Sequence, residues 1–366
     1  MLNRFFCLFP LRKDKVLFLS DVREQLSGNF GFVYEAIEGK YLIKTSLKGD
    51  RRIRRSFCKW LEQCYDLATA KYILLDDYSV ATAYIHVRRE QKIVQLWHSS
   101  GAYKKFAYSR GGTGGDIRRV HAGYKRYTDV IVSSEDIRPC FAEAFRIPVE
   151  RVLATGIPRT DIFFDEGYKR NKKIELYNLY PEWRQKKVIL FAPTYRGTKV
   201  EEADYDFSRL DFEQFIRGVG EQYIVLVKWH PALQNNIKFG KTKGYDISKY
   251  PGVVYDISES REINDYLFVT DILVTDYSSL IFDYALLNKP VIYYAYDLEE
   301  YKQGRGLYFP FEEYVYGAVA QNTDELIEAV REENMCEEKR RDFIKKFISS
   351  NDGKATQKVV KAIFAN

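Results

Sequence analysis

The fold is decided by residues 271–292, which read DILVTDYSSLIFDYALLNKPVI. The apolar run Ile272–Val274 is followed by the polar residues TDYSS, by the apolar spacing of a helix over Ser278–Leu287, and by a second apolar run, Val291–Tyr294. Continuous apolar strands joined through a helix are typical of a parallel sheet that is covered on both faces. This stretch therefore predicts a β-α-β unit.

The same alternation of short apolar runs and amphipathic stretches continues along the chain. The runs that predict strands are Val16–Leu19, Tyr41–Lys44, Tyr72–Leu75, Ile93–Leu96, Val130–Val132, Val188–Phe191, Ile224–Val227, Gly252–Tyr255, Ile272–Val274 and Val291–Tyr294. The stretches that predict helices are Phe30–Ile37, Arg54–Ala68, Glu135–Phe145, Phe212–Gly218, Arg261–Phe268, Ser278–Leu287 and Asp324–Phe347. The sequence therefore predicts an α/β protein.

A domain junction is predicted in the polar, charged stretch Asp165–Lys187, which contains Pro181 and immediately precedes a predicted strand. The junction gives an N-terminal domain of residues 1–175 and a C-terminal domain of residues 176–366. Two domains suit a chain of 366 residues, since domains usually span roughly 100–200 residues. Two such β/α domains would enclose a cleft between the carboxyl ends of their strands, where α/β proteins bind ligands.

Charge is distributed unevenly between the two halves of the chain. The whole sequence carries 57 Lys and Arg against 51 Asp and Glu, a formal charge of +6. Residues 1–185 hold 33 basic against 22 acidic side chains, or +11, whereas residues 186–366 hold 24 against 29, or −5. A basic first half predicts an anionic partner, which leaves nucleic acid, an anionic membrane face and a phosphate-bearing substrate open.

Two basic clusters lie in the first half. The first contains Lys48, Arg51, Arg52, Arg54, Arg55 and Lys59 beside one acid, Asp50. The second lies within residues 101–126 and includes Lys104 and Lys105. Either cluster fits a solvated helix face or the binding of anionic lipid headgroups. No recognised nucleic-acid motif accompanies them, so nucleic acid is the less favoured partner.

The cysteines and the N-terminus predict a cytosolic location. The five cysteines, Cys7, Cys58, Cys64, Cys140 and Cys336, form no CxxC pair, which predicts reduced thiols. No apolar stretch approaches the roughly 18–20 residues that cross a bilayer. The start, MLNRFFCLFPLRK, has no small-residue cleavage site, so it differs from an ordinary signal peptide. Its aromatic residues either lie in a membrane interface or pack on the core.

Two of the four histidines occupy equivalent positions. His98 follows the apolar run that ends at Trp97, and His230 follows the run that ends at Trp229. Both are therefore predicted at the carboxyl ends of strands, one in each domain. A histidine titrates near neutral pH and can accept a proton from a hydroxyl or donate one to a phosphate. The alternative is that each histidine only caps a strand edge with a hydrogen bond.

Polar residues open the helix that follows the strand Ile272–Val274. Thr275, Asp276, Ser278 and Ser279 lie where backbone N–H groups and the helix dipole favour a bound phosphate. An N-cap formed by Asp276 or Ser278 would explain the same residues.

The segment FAPTYRG (191–197) places Thr194 and Arg196 after another predicted strand. Arginine suits bidentate contacts with phosphate, although an exposed loop arginine fits the spacing equally well. No Asp/Glu cluster has the spacing of metal ligands. We therefore predict no required metal cofactor and leave open whether Mg²⁺ from solution assists.

These pieces, in this order, resemble the CDP-glycerol glycerophosphotransferase family of wall teichoic acid and related polymer synthesis. The segments that carry the resemblance are QLWHSSGAYKKF (95–106), DVIVSSE (129–135), ATGIPRTDIFF (154–164), ILFAPTYRG (189–197), VLVKWHP (225–231), VTDYSSLIFDYALLNKPVIYYAYDLEEY (274–301) and RGLYF (305–309). The WH, KWHP and TDYSS elements with their spacing are the specific ones.

The resemblance implies a GT-B-like pair of Rossmann-type β/α domains facing across a central cleft, in a peripheral protein on the cytoplasmic membrane face. It implies transfer of glycerol phosphate or ribitol phosphate from a CDP-activated donor to a hydroxyl of a polyprenol-pyrophosphate-linked saccharide acceptor, with release of CMP. The C-terminal domain would then bind the CDP donor, and the N-terminal domain would face the acceptor and the membrane.

Site residues are carried over by motif. The resemblance implies that His98 deprotonates the acceptor hydroxyl and that His230 hydrogen-bonds the pyrophosphate and stabilises the leaving CMP. The implied donor contacts are Thr194, Arg196, Thr275, Asp276, Ser278, Ser279 and Arg305. The residues expected to face the membrane or the acceptor are Arg51, Arg52, Arg54, Arg55, Lys104 and Lys105.

Two segments depart from the family pattern. WHSSGAYKKF is more similar to the version found in priming enzymes than to that of some polymerases, which favours addition of a single unit. LSGN (26–29) stands where the family more often has Asn-Pro. Two other functions fit the same features: a GT-B glycosyltransferase that uses a nucleotide sugar, and a membrane-bound assembly protein with an inactive cleft.

Overall fold

The computed structural model describes residues 2–50, 53–110, 122–197, 202–260 and 262–365, with Arg305 described by its backbone alone. Its contacts divide the chain into two compact units. The first comprises Met1–Phe164 and Lys346–Asn366, and the second comprises Asp165–Lys345.

The first unit is built on a six-stranded sheet. Its strands are β1 (Arg12–Ser20), β2 (Leu42–Leu47), β3 (Ala70–Leu75), β4 (Lys92–Gln95), β5 (Asp129–Ile131) and β6 (Val152–Leu153). All of them pair in parallel, in the order β2-β1-β3-β4-β5-β6. The chain leaves β1 and β3 toward opposite edges of the sheet, so the topological switch point lies between these two strands.

The second unit has a sheet of the same kind. Its strands are β7 (Lys187–Phe191), β8 (Tyr223–Val227), β9 (Val254–Asp256), β10 (Ile272–Thr275), β11 (Val291–Tyr294) and β12 (Ala318–Ala320). They pair in parallel in the order β12-β11-β10-β7-β8-β9, with the switch point between β7 and β10. All five residues of β8 are buried, as expected of a sheet that is covered on both faces.

Helices flank both sheets. In the first unit they are Leu2–Phe6, Asn29–Ile37, Phe57–Thr69, Arg138–Phe145 and Ala355–Phe364. In the second they are Glu166–Leu179, Phe212–Val219, Pro231–Lys238, Ile263–Leu267, Leu280–Tyr284, Leu298–Arg305 and Thr323–Glu332, and Glu337–Phe347 runs from the second unit into the first.

All ten predicted strands are present, whereas the predicted helices required correction. The helix expected over Asp324–Phe347 is two helices, because Glu333 adopts φ +51° and its backbone N–H caps Ala329 O. Two strands escaped prediction, β6 with two residues and β12 with the weakly apolar sequence AVA. Short runs of this kind give too little periodicity to be recognised.

The domain boundary also differs from the predicted ranges 1–175 and 176–366. The two units divide at Asp165, the first residue of the polar stretch predicted as the junction. Most of that stretch is the helix Glu166–Leu179, whose first turn is capped by the Asp165 carboxylate. The last residues return to the first unit, where Phe364 lies 4.6 Å from Tyr72 between ring centroids. The apolar face of the C-terminal helix thus completes the core of the first unit.

Candidate active site

The second unit gathers most of the predicted donor residues at its switch point. Thr194 and Arg196 lie beyond the carboxyl end of β7, and Thr275 and Asp276 lie at the end of the neighbouring strand β10. Open α/β sheets bind ligands beyond the carboxyl ends of their strands at this point.

Asp276 is the centre of this group, and its side chain is only 2% exposed. Its Oδ1 accepts hydrogen bonds from the Thr194 N–H (2.8 Å), the Thr194 hydroxyl (2.9 Å) and the Tyr277 N–H (2.6 Å). Its Oδ2 accepts a hydrogen bond from Arg196 Nη1 at 2.9 Å. Both carboxylate oxygens are therefore used to join the loop after β7 to the end of β10.

Arg196 is paired with a second carboxylate as well. Its Nε donates to Asp297 Oδ2 and its Nη2 donates to Asp297 Oδ1 at 2.8 Å. Four tyrosine rings surround the guanidinium at 5.1–5.8 Å, those of Tyr205, Tyr277, Tyr296 and Tyr301. Burial alone would lower the pKa of Arg196, but the two carboxylates outweigh burial and raise it. Arg196 therefore joins the loop after β7 to both Asp276 and Asp297.

The hydroxyl groups of the TDYSS segment differ in what they contact. Thr275 is buried, and its hydroxyl donates to Ala192 O at 2.6 Å. Ser278 Oγ accepts the Leu280 N–H at 3.2 Å. Ser279 immediately precedes the helix Leu280–Tyr284 and makes no side-chain capping bond. The two serines are half-buried, so they are the hydroxyls of this segment that a ligand can reach. The side chain of Arg305 lies outside the described part of the chain.

His230 lies at the carboxyl end of β8, next to β7, and is exposed. It caps the helix Pro231–Lys238, since its Nδ1 accepts the Ala232 N–H at 3.2 Å. A neutral imidazole whose Nδ1 accepts a hydrogen bond carries its proton on Nε2. The cap therefore fixes the tautomer, with the imidazole proton on Nε2.

Lys228, two residues before His230, supports this turn. Its Nζ donates to Ser258 O (2.8 Å) and Ser260 O (2.6 Å), and the Trp229 N–H donates to Ser258 Oγ (2.8 Å). Burial lowers the pKa of Lys228. The lysine of the KWHP motif thus fastens the neighbouring loop.

In the first unit, His98 follows β4 on a strained turn. Trp97 has φ +56°, which is unusual for a bulky residue and costs on the order of 1–3 kcal/mol. The Trp97 N–H donates to Gln95 Oε1 at 2.9 Å, and the indole packs against Phe106 with ring centroids 4.8 Å apart. Trp97 is buried while His98 is exposed, so the turn presents the imidazole outward.

Asn29, the last residue of LSGN (26–29), supports the turn before His98, a role that the sequence did not predict. Its side-chain amide donates to Leu96 O (3.1 Å) and Trp97 O (2.7 Å), and its Oδ1 accepts the Arg159 N–H (3.0 Å). It is 1% exposed. Asn29 therefore holds the strained turn that carries His98. An asparagine at the start of a predicted helix was the available signal, but it reads equally well as an ordinary cap.

The residues predicted to face the membrane or the acceptor differ in their surroundings. Arg51 and Arg52 lie outside the described residues, and Arg54 is exposed. Arg55 donates to Asp21 Oδ1 (2.9 Å) and to Ser46 O (3.0 Å). Arg55 is therefore part of the folded unit rather than of an open basic surface. The other two predicted residues, Lys104 and Lys105, are half-buried.

Three further observations concern the described residues. No helix among them is long and apolar enough to cross a membrane. No cluster of three or more His, Cys, Asp or Glu side chains within the described ranges is placed to hold a metal ion. The five cysteines are unbridged, with Cys58 and Cys336 exposed and Cys140 buried.

Comparison with known sequences gives a family match along the whole chain. The family described as CDP-Glycerol:Poly(glycerophosphate) glycerophosphotransferase matches residues 1–365. The teichoic acid poly(ribitol-phosphate) polymerase of Bacillus spizizenii is 42% identical over 98% of this chain, which spans 57% of that protein's length. The teichoic acid ribitol-phosphate primase of the same organism is 34% identical over 96% of this chain and 91% of its own length.

Solved structures share the fold. The wall teichoic acid polymerase TagF matches with a TM-score of 0.78 at 22% identity, over 99% of this chain and 92% of that chain. A UDP-GlcNAc 2-epimerase from Neisseria meningitidis matches with a TM-score of 0.59 at 13% identity, over 96% of this chain and 100% of its own. The predicted GT-B-like α/β fold is confirmed. On the match over residues 1–365 and the identities of 34–42%, the chain belongs to the CDP-glycerol:poly(glycerophosphate) glycerophosphotransferase family.

Proposed function

We propose that this protein transfers a polyol phosphate from a CDP-activated donor to a hydroxyl of a polyprenol-pyrophosphate-linked saccharide acceptor, releasing CMP. The observation that carries the proposal is His230, whose Nδ1 is occupied by the Ala232 N–H at the carboxyl edge of the second sheet. An imidazole that carries its proton on Nε2 is a donor that suits a phosphate that gains charge as it leaves. Family membership supports the same reaction.

In the proposed step, the acceptor oxygen forms a bond to the phosphorus that carries the polyol. The bond between that phosphorus and the bridging oxygen of CMP breaks. The acceptor's proton passes to His98, and Nε2–H of His230 donates to the departing CMP phosphate. Positioning and charge stabilisation supply most of the catalysis in phosphoryl transfer, so no covalent intermediate on the protein is needed.

We propose CDP-ribitol as the preferred donor, with CDP-glycerol as the second candidate. The relatives at 42%, 39% and 38% identity are named ribitol-phosphate polymerases, whereas two named glycerol-phosphate primases are 32% and 27% identical. Solved structures of a TagF variant include soaks with CDPG. The relatives include both polymerases and primases, so they do not decide how many units are added. Addition of a single unit, which WHSSGAYKKF favours, stays a prediction.

The test is an assay with purified protein and a defined lipid-linked saccharide acceptor. CDP-ribitol, CDP-glycerol and UDP-GlcNAc are offered separately, and the nucleotide released and the mass of the lipid product are measured. We expect CMP and a product heavier by one or more polyol phosphates. Release of UDP with a glycosidic product would support the nucleotide-sugar alternative, and no release with any donor would favour a non-enzymatic assembly protein. Adding EDTA tests our expectation that no metal is required.

We further propose that the protein works as a peripheral protein on the cytoplasmic membrane face, drawn there by basic residues of the first unit. Each basic residue near an anionic surface contributes about 1 kcal/mol. Changing Arg51, Arg52 and Arg54 to Glu should reduce flotation with anionic vesicles and reduce activity on a lipid acceptor, but not on a water-soluble analogue.

Arg55 is left out of this variant because its ion pair with Asp21 belongs to the folded unit. The matched control reverses three exposed lysines of the second unit, Lys238, Lys241 and Lys243. Equal losses in both variants would show a nonspecific effect of charge, and unchanged flotation of the first variant would remove this patch as the docking surface.

A further inference from the structure

The first unit has a cavity of about 430 Å³ at its own switch point, outside the site described above. Asp21 follows β1, Lys48 follows β2 and the turn Val80–Tyr84 follows β3, so three carboxyl ends of strands contribute to its lining. The helix Phe57–Thr69 forms another wall. Both the volume and the location are those of ligand sites in open α/β sheets, whose pockets measure about 300–1,000 Å³.

One end of the cavity is polar and carries excess positive charge. Asp21 accepts hydrogen bonds from Arg55 Nη1 (2.9 Å) and the Ser79 hydroxyl (2.7 Å), and Lys48 Nζ lies 3.6 Å from its Oδ1. The three charged side chains are 8–16% exposed. Two cations beside one carboxylate give this end of the lining a formal charge of +1.

A buried hydrogen-bond donor lies in the same lining. Asn3 is 7% exposed, and its Oδ1 accepts the His86 N–H at 2.9 Å. Its Nδ2 has no hydrogen-bond partner among the described residues. An unsatisfied buried donor costs about 1–3 kcal/mol, which a ligand oxygen would recover. Asn3 and the cations thus both favour a ligand with anionic oxygens.

The rest of the cavity is apolar and opens to a surface of exposed apolar side chains. Leu67 and Ile85 are buried in its wall, at 3% and 4% exposure. Trp60, Val80 and Tyr84 line its outer part at 43%, 51% and 67% exposure. Three more exposed apolar side chains lie nearby in the sequence. Phe57 packs beside Trp60. Phe5 lies in the helix Leu2–Phe6, whose first residue lines the cavity, and Leu8 follows that helix. Apolar patches of this kind mark surfaces that another apolar body covers.

We propose that this cavity binds an anionic amphiphile, an alkyl or prenyl phosphate, with its head at Arg55, Lys48 and Asn3 and its chain along Trp60 and Tyr84. A free sugar or inorganic phosphate would leave the apolar wall in water, and a neutral hydrocarbon would leave the Asn3 Nδ2 without an acceptor. The amphiphile satisfies both ends. The proposal does not rest on the proposed transfer reaction, because binding is tested with neither the CDP donor nor the saccharide acceptor present.

Binding is measured by calorimetry with the full chain and dodecyl phosphate below its critical micelle concentration. Trp60 fluorescence reports the site, because the other three tryptophans are at most 7% exposed. We expect one saturable site, with affinity at least about tenfold weaker for dodecyl maltoside, which has the same chain and a neutral head. Inorganic phosphate should not compete at equal concentration. Equal binding of the two dodecyl compounds, or full competition by phosphate alone, would overturn the proposal.

Variants locate the site. Ala81→Trp places an indole in the cavity lining and Arg55→Gln removes a cation, and each should weaken dodecyl phosphate binding at least about tenfold. Arg89→Gln is the matched control, since Arg89 is exposed and is not part of the lining. Tyr84→Ser, at a 67% exposed position, tests the wall if Arg55→Gln lowers the melting temperature. Unchanged binding in Ala81→Trp and Tyr84→Ser, or an equal loss in Arg89→Gln, would show that the amphiphile binds elsewhere or only through general charge.

Discussion

Replacing Arg196 by Met separates a structural role for this residue from direct contact with the donor. Methionine keeps the apolar stem and removes the guanidinium, which leaves two carboxylates, Asp276 and Asp297, at 2% and 10% exposure without their cation. In the native protein these two carboxylates receive three of the hydrogen bonds that Arg196 donates.

The expected cost follows from burial. Removing one partner of a buried ion pair costs about 3–5 kcal/mol, because the remaining charge stays in a poorly solvated place. Arg196 is 19% exposed, so water screens little of this loss. Against a typical free energy of unfolding of about 5–15 kcal/mol, the second unit should lose a large share of its stability. Arg196→Lys keeps the charge without the two-pronged geometry and should lose less.

Urea unfolding followed by circular dichroism measures the stability, and calorimetry with CDP measures nucleotide binding. The control is Arg209→Met, which removes a 57% exposed arginine paired with Asp206 and should cost at most about 1 kcal/mol. Adding Asp297→Asn to Arg196→Met should recover part of the loss, because one unpaired carboxylate is then absent. Native stability combined with lost CDP affinity in Arg196→Met would show instead that Arg196 binds the donor, as its motif predicts.

Three other outcomes are expected. His98→Ala should lower turnover at least about 10²-fold and retain donor affinity, because a general base acts on the acceptor. His86→Ala, at an exposed histidine, is the control. A His98→Ala variant that keeps a tenth of native turnover would exclude the base role. Changing Ser278 and Ser279 together to Ala should weaken the calorimetric affinity for CDP-ribitol, because hydrogen bonds to charged groups are worth about 1.5–3 kcal/mol. Unchanged affinity would show that neither serine binds the donor. Burial lowers the pKa of Lys289 to about 8. Between pH 8 and pH 10.5 the folded state therefore binds fewer protons than the unfolded state, so the free energy of unfolding should rise with pH. The rise amounts to about 1.4 kcal/mol per unit of pKa difference. The free energy of unfolding of the native protein minus that of Lys289→Met, measured at pH 7.5, 8.5 and 9.5, should therefore increase with pH. A constant difference would contradict this prediction.

The predicted and observed sites differ in the roles of particular residues. The placement of the site residues at strand ends was predictable, because an apolar run followed by polar residues marks the carboxyl end of a parallel strand. Their partners were not, because Arg196 meets Asp297 from 101 positions away and Asn29 meets Trp97 from 68. Contacts at such separations leave no periodic trace in the sequence.

The sequence by itself determined the α/β class, all ten of the strands predicted from it, and the position of His98 and His230 after strands. It could do so because strands buried on both faces must be continuously apolar, a local property that needs no knowledge of neighbours. The tertiary structure alone decided the strand order, and with it both switch points. It also decided that Arg196 and Arg55 are held by carboxylates and that the C-terminal helix Ala355–Phe364 packs in the first unit. The physical reason is that pairing between distant segments depends on shape and charge complementarity across the folded chain, whereas hydrophobic pattern records only which face of each segment is buried.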